Sequence, residues 1–119
     1  MATVLTDIGE AYVVDRITGA SSVKADDVGW GTGAGTAAKA DTVLFTEAAE
    51  SRVAAVETQP LADKVQWVAT ITAAAGKTIT NAGNFDAPTG GNLVIHGDFT
   101  GIVLATGDKI EFTISLEIT

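Results

Sequence analysis

The chain has no cysteine, one histidine, two prolines and only four phenylalanines, two tryptophans and one tyrosine among its 119 residues. Without cysteine it is neither a disulfide scaffold nor a cysteine-ligated zinc domain. His96 alone makes a poor transition-metal site, and no cofactor or metal is expected. Cations are scarce too. Seven Lys and Arg face fifteen Asp and Glu, giving a net charge of −8 and a pI near 4.3. A nucleic-acid partner is not expected from a chain so short of cations. No apolar run approaches the roughly 18 residues needed to span a bilayer, so no membrane partner is expected. Met1–Asp7 lacks a basic, apolar leader pattern, so a secretory signal is not expected.

What is present points to a folded domain. Hydrophobic residues are 46% of the chain, charged residues 18%, and mean hydropathy is +0.29, which opposes disorder. One domain over residues 1–119 is expected, with a helical segment (1–20), a loop-rich part (21–60) and a β core (61–119). Twenty alanines, seventeen threonines and 13 glycines dominate the composition. Threonine favours strands and glycine favours turns and bulges. With so few large side chains, the expected core is modest and supported by oligomerisation.

Over residues 3–18 the apolar spacing of Val4, Leu5, Ile8, Ala11 and Tyr12 predicts a helix, with Thr3 as N-cap and Gly19 as stop. Val13, Val14 and Ile17 fall off that face and Gly9 weakens the helix, so a short helix followed by a strand from Tyr12 to Ile17 is the alternative. Residues 23–28 read as a short edge strand. Gly29-Trp30-Gly31-Thr32-Gly33-Ala34-Gly35 reads as a surface loop or bulge anchored by Trp30, on this protein's core or on a neighbour. Residues 43–58 read as extended flanks around a turn of helix. Strands are predicted over Val65–Thr72, with Val65, Trp67, Ala69 and Ile71 inward, and over Thr78–Thr80, ended by Asn81-Ala82-Gly83. Another carries Leu93, Ile95, Gly97 and Phe99 on one face. The last alternates Ile110, Phe112, Ile114, Leu116 and Ile118 with polar residues. Turns are predicted at Asp86–Gly91 and Thr106–Asp108. The fold class is therefore mainly β: an antiparallel β-sandwich or small barrel with a short N-terminal helix.

Motifs for chemistry are weak. Ala75-Gly76-Lys77-Thr78 resembles the end of a phosphate loop, but Ile71 stands where that motif needs glycine, and strands flank it. A β-turn with an exposed lysine is the expectation. The glycines of 29–35 lack dinucleotide-loop spacing. His96 lies opposite the apolar face of its strand, with no nucleophile elbow nearby, and a solvated or interface histidine is expected. The carboxylates match no calcium loop. Arg52 is expected to pair with Glu47 or Glu50. A carbohydrate-binding module would need an exposed ring, Trp30 or Trp67, and Trp67 is expected in the core.

Several segments carry a family resemblance. Leu5-Thr6-Asp7-Ile8-Gly9-Glu10-Ala11 resembles the opening of bacteriophage tail-collar fibre and related small virion proteins. Gly29-Trp30-Gly31-Thr32-Gly33, Asp41-Thr42-Val43-Leu44-Phe45-Thr46-Glu47 and Arg52-Val53 are similar to the next pieces in that series. Ile79-Thr80-Asn81-Ala82-Gly83-Asn84-Phe85 and Gly107-Asp108-Lys109-Ile110-Glu111-Phe112-Thr113 resemble the last ones. Asn84 stands where the family usually has leucine, and no fibre shaft follows Thr119, so a coating or joining piece is implied rather than a fibre. The resemblance implies a non-enzymatic virion protein, made in the host cytoplasm, that decorates or cements the capsid as a homo-oligomer, often a trimer. A tail-collar or baseplate adaptor is the alternative. Its partners would be further copies of itself and the major capsid protein or tail proteins. Candidate contact residues are Leu5, Ile8, Tyr12, Trp30, Gly31, Gly33 and His96, and no catalytic residue is expected.

Overall fold

Strict alternation of apolar and polar side chains requires a surface to cover one face of each strand, and two facing sheets provide it. The computed structural model describes residues 1–119. Its elements are β1 (Thr3–Leu5), α1 (Asp7–Thr18), β2 (Asp27–Gly31), β3 (Val53–Ala54), β4 (Val56–Leu61), β5 (Lys64–Thr72), β6 (Lys77–Phe85), β7 (Leu93–Leu104) and β8 (Lys109–Glu117). Two antiparallel sheets form, a five-stranded one ordered β1-β7-β6-β2-β3 and a three-stranded one ordered β4-β5-β8. The fold is mainly β and consistent with a β-sandwich.

The inner core lies between the sheets. Val28 and Trp30 of β2 and Ile79 and Ala82 of β6 meet Ala69 and Ile71 of β5, with Phe112 of β8 packed alongside. Trp67 joins Val94, Ile95 and Ala25 in a second cluster. A register shift between Ile79 and Asn81 lets Ile79 and Ala82 face the same side although three residues separate them. Val65, Trp67, Ala69 and Ile71 point inward as their period predicts, and the turns at 86–91 and 106–108 form.

The five-stranded sheet is covered on its outer face as well, which strand periodicity alone did not anticipate. Leu93, Val94, Ile95 and His96 are all buried, so β7 has no solvated face along this stretch. The cover consists of α1 and the segment from 32 to 52. The helix is capped by Thr6, not Thr3, because Thr3 is drawn into β1 opposite Gly97. The Thr6 hydroxyl accepts from the Gly9 N–H at 2.8 Å and donates to the Leu93 carbonyl at 2.6 Å, fixing the helix start to β7. Gly19 closes the helix in the left-handed region at φ 79°. Gly9 serves packing: a Cβ there would lie 2.2 Å from the Val94 carbonyl oxygen.

Four further expectations are corrected. The segment 29–31, read as a surface loop, is the interior of β2, paired to β6 on one side. Val23–Lys24 are outside any strand, and β2 is no edge, since β3 also pairs with it. The strand predicted to end at Thr80 continues through Asn81-Ala82-Gly83 to Phe85, and no helical turn forms between 43 and 58. For β2 and β6 the cause is glycine. Its missing side chain marks a turn in isolation, but in β2 it makes room for another backbone. A Cβ at Gly31 would sit 2.4 Å from the Phe45 carbonyl oxygen, so the cover can lie against the sheet only over bare backbone.

Gly31→Ala should therefore lower the unfolding free energy by about 1–3 kcal/mol, the usual range for overpacking. Gly76→Ala, whose nearest foreign atom would be the Leu104 carbonyl oxygen at 3.6 Å, should leave it almost unchanged. Urea denaturation of the two variants measures the difference.

Candidate functional site: a buried polar cluster beneath the 32–52 cover

The chemistry-bearing side chains gather on the outer face of the five-stranded sheet. Asn81 of β6 and His96 of β7 project into the cover, and Asp41 and Phe45 descend onto them. The Phe45 N–H donates to Asn81 Oδ1 at 3.0 Å, and Asn81 Nδ2 donates to the Phe45 carbonyl at 3.0 Å. This two-point contact orients the amide. Its oxygen then faces His96 Nε2 at 3.0 Å, which assigns the hydrogen there to the ring. His96 Nδ1 lies 2.8 Å from Asp41 Oδ2. Asp41 Oδ2 also accepts from the Ala38 N–H at 2.8 Å. The Phe45 ring packs edge-on to the imidazole, centroids 4.7 Å apart.

His96, expected to be solvated or at an interface, is instead 0% exposed. Asp41 and His96 resemble two members of a catalytic triad. The position for a nucleophile is taken by the Asn81 amide oxygen, already bonded to Phe45, so the pair serves as a clamp on the cover. Asn81 was missed because its segment reads as a turn, and an asparagine in a strand interior is uncommon.

Two ion-paired groups extend this clamp along the cover. Arg52 holds Glu47 with two parallel bonds, Nε at 2.8 Å and Nη2 at 2.9 Å, as expected from their proximity in sequence. Its Nη1 reaches the carbonyls of Ala87 and Gly90, and its guanidinium lies 3.4 Å from the Phe85 ring centre. Glu50 accepts from Trp30 Nε1 at 3.0 Å, from the Ala74 N–H at 2.9 Å and from Lys77. Lys77, expected as an exposed lysine, is thus mostly buried against Glu50, its side chain 14% exposed. Burial pushes the Glu50 carboxyl up, but the bonds from Lys77, Ala74 and Trp30 outweigh it and bring its pKa to about 2.

The remaining candidates fall within one molecule. Trp30 is in the inner core, which resolves its placement, and Gly31 is buried beneath Phe45. Gly33 is half-buried, its carbonyl accepting from the Thr80 hydroxyl. Leu5 and Tyr12 pack against the Trp67 cluster, and the Tyr12 hydroxyl accepts from the Ala25 N–H at 3.0 Å. Ile8 lines a small hollow with Tyr12, Asp86 and Asn92. Trp67 is buried as expected and donates to Glu57 at 3.1 Å, so neither tryptophan offers a face to a sugar. Every buried side-chain nitrogen and oxygen has a partner. Comparisons with protein-family models, curated proteins and solved structures found no match.

Asn81→Ala orphans the Phe45 N–H and the His96 ring together and should lower the unfolding free energy by about 2–4 kcal/mol. Urea titration reads this directly. Glu50 has a folded pKa below its unfolded value near 4.3, so its contribution is complete above about pH 5 and is lost as pH falls toward 2. Between pH 5 and 2 the urea midpoint of Glu50→Gln should consequently fall less steeply than that of the unaltered protein.

Proposed function

We propose that this protein is a non-enzymatic structural component of a bacteriophage virion, a decoration or cement protein that assembles on the capsid as a homo-oligomer. One observation carries the reading. Four of the segments that resemble small virion proteins, residues 29–33, 41–47, 52–53 and 79–85, are apart in sequence yet meet in one constellation. Gly31 and Gly33 lie under Phe45, Asn81 holds Phe45, and Arg52 holds Glu47 over Phe85. The resemblance thus falls on residues that depend on one another to fix the cover to the sheet.

The arrangement suits a passive, rigid part. Arg52, Glu50, Asn81 and His96 are all engaged within the chain, and their bonds stiffen a surface built from two short edges and long loops. The acidic charge favours solubility before docking. A tail-collar or baseplate adaptor would use the same rigid unit in far fewer copies.

Cryo-electron microscopy of the particle encoded with this protein separates the two. Density repeated over the capsid lattice, in many copies per particle, is the expected result. Density confined to a tail or baseplate ring would replace decoration by the adaptor role, and absence from the particle would overturn both.

A further inference from the structure

A sheet that ends in a bare strand exposes a row of unpaired N–H and C=O groups, and proteins usually blunt such edges. Most edges here are blunted. β1 has three residues and β3 two. β4 carries Pro60 and a register shift between Thr58 and Leu61. The half of β7 beyond its pairing with β1 contains Gly101. β8 has none of these devices: its nine residues pair with β5 in unbroken register, without proline or bulge. Its inward side chains Ile110, Phe112, Ile114 and Leu116 are only half-buried. A crevice of about 210 Å³, lined in part by Phe99, Phe112 and Ile114, opens beside it.

We propose that β8 pairs antiparallel with β8 of a second copy about a two-fold axis through Thr113, joining two three-stranded sheets into one. The hydrogen-bond phase supports this. The Ile118 N–H bonds to the Asp63 carbonyl and the Ala73 N–H to the Asp108 carbonyl, at the two ends of the β5–β8 ladder. Alternation then directs the backbone groups of Ile110, Phe112, Ile114 and Leu116 toward β5. Those of Lys109, Glu111, Thr113, Ser115 and Glu117 face outward, free to bond a second strand.

The charges select the register. Centred on Thr113, pairing sets Lys109 opposite the second copy's Glu117, Glu111 opposite Ser115, and Thr113 opposite itself. Opposite charges and threonine pairs are both favourable across strands. Lys109 has no ion-pair partner within its own chain, and Glu117 faces Lys64 across β5 without closing an ion pair within 4.0 Å. A slide of two residues one way sets Glu111 against Glu117, and the other way leaves Lys109 against Ser115. A slide of one residue turns one copy's apolar face outward. In the Thr113 register Phe112 meets Ile114 of the second copy, so the half-buried row closes on its own equivalent.

This inference names the contact behind the homo-oligomer in the proposed function, and it is tested in solution, apart from any particle. Analytical ultracentrifugation of the full chain should give a species of twice the 12.1 kDa chain mass. The chain lacks cysteine, so single-cysteine variants report the register. Directly opposed residues lie about 5.5 Å apart between Cα atoms, within disulfide range. Thr113→Cys should therefore oxidise to a covalent dimer, and Glu111→Cys and Ser115→Cys at least about tenfold more slowly, their equivalents lying about 13 Å apart. Lys109→Glu should weaken association about tenfold, and adding Glu117→Lys should restore it. Far-ultraviolet circular dichroism checks that the variants fold. A monomer at all concentrations, fastest cross-linking at another position, or no rescue by the double exchange overturns the proposal. A solution dimer that is absent from particles would instead overturn the virion placement and leave this pairing standing.

Discussion

The structure depends on the approach of one irregular segment to a sheet. Phe45 and Thr46 lie so close to the end of β2 and the chain just after it that side chains at Gly31 and Gly33 would collide with them. Close approach exposes the segment's own backbone groups to burial, and an unpaired buried amide costs about 1–3 kcal/mol. The Asn81 side chain supplies both a donor and an acceptor to Phe45, which a hydroxyl or carboxylate could not do in this geometry. The strand glycines, the buried asparagine and the histidine–aspartate pair are therefore parts of one solution. Each would be unfavourable alone, and each is needed because of the others.

This dependence explains what could be read from the sequence. β5 and β8 were legible because each has one buried face and one solvated face, so period 2 reports the environment directly. α1 was legible from its spacing and from Gly19, while its cap was misplaced by three residues because Thr3 and Thr6 are equally good caps in isolation. Only the sheet decides, by drawing Thr3–Leu5 into a strand beside β7. β2 and the second half of β6 were illegible for the opposite reason. Their outer face meets backbone rather than side chains, so the residues there are glycine and asparagine, which locally signal turns.

The polar cluster was partly legible. The pairing of Arg52 with Glu47 follows from separation along the chain alone. The Asp41–His96 and Glu50–Lys77 pairs could not be read, since 55 and 27 residues separate their members. Burial also inverts the usual meaning of these residue types. A lone histidine or a lysine after glycine suggests chemistry or solvent in a sequence. Here both satisfy groups that the cover would otherwise leave unpaired.

The same contrast bears on how the molecule meets others. Its outer sheet face is spent on holding its own cover; of the residues read as contacts, Gly31 and His96 are buried beneath that cover and Trp30 lies in the inner core. The β8 edge presents outward backbone groups, with Lys109 at one end and Glu117 at the other. A chain with net charge −8 meets general repulsion from its own copies. In the proposed pairing, opposite charges would face each other locally at the two ends of β8, Lys109 against Glu117. The small-residue composition first suggested stability drawn from neighbours. Only 25 of 119 residues are buried, and the incompletely covered apolar row lies along this edge. A partner strand there would thus complete the core that the composition leaves modest, while the clamp on the opposite sheet keeps the monomer's shape fixed for docking.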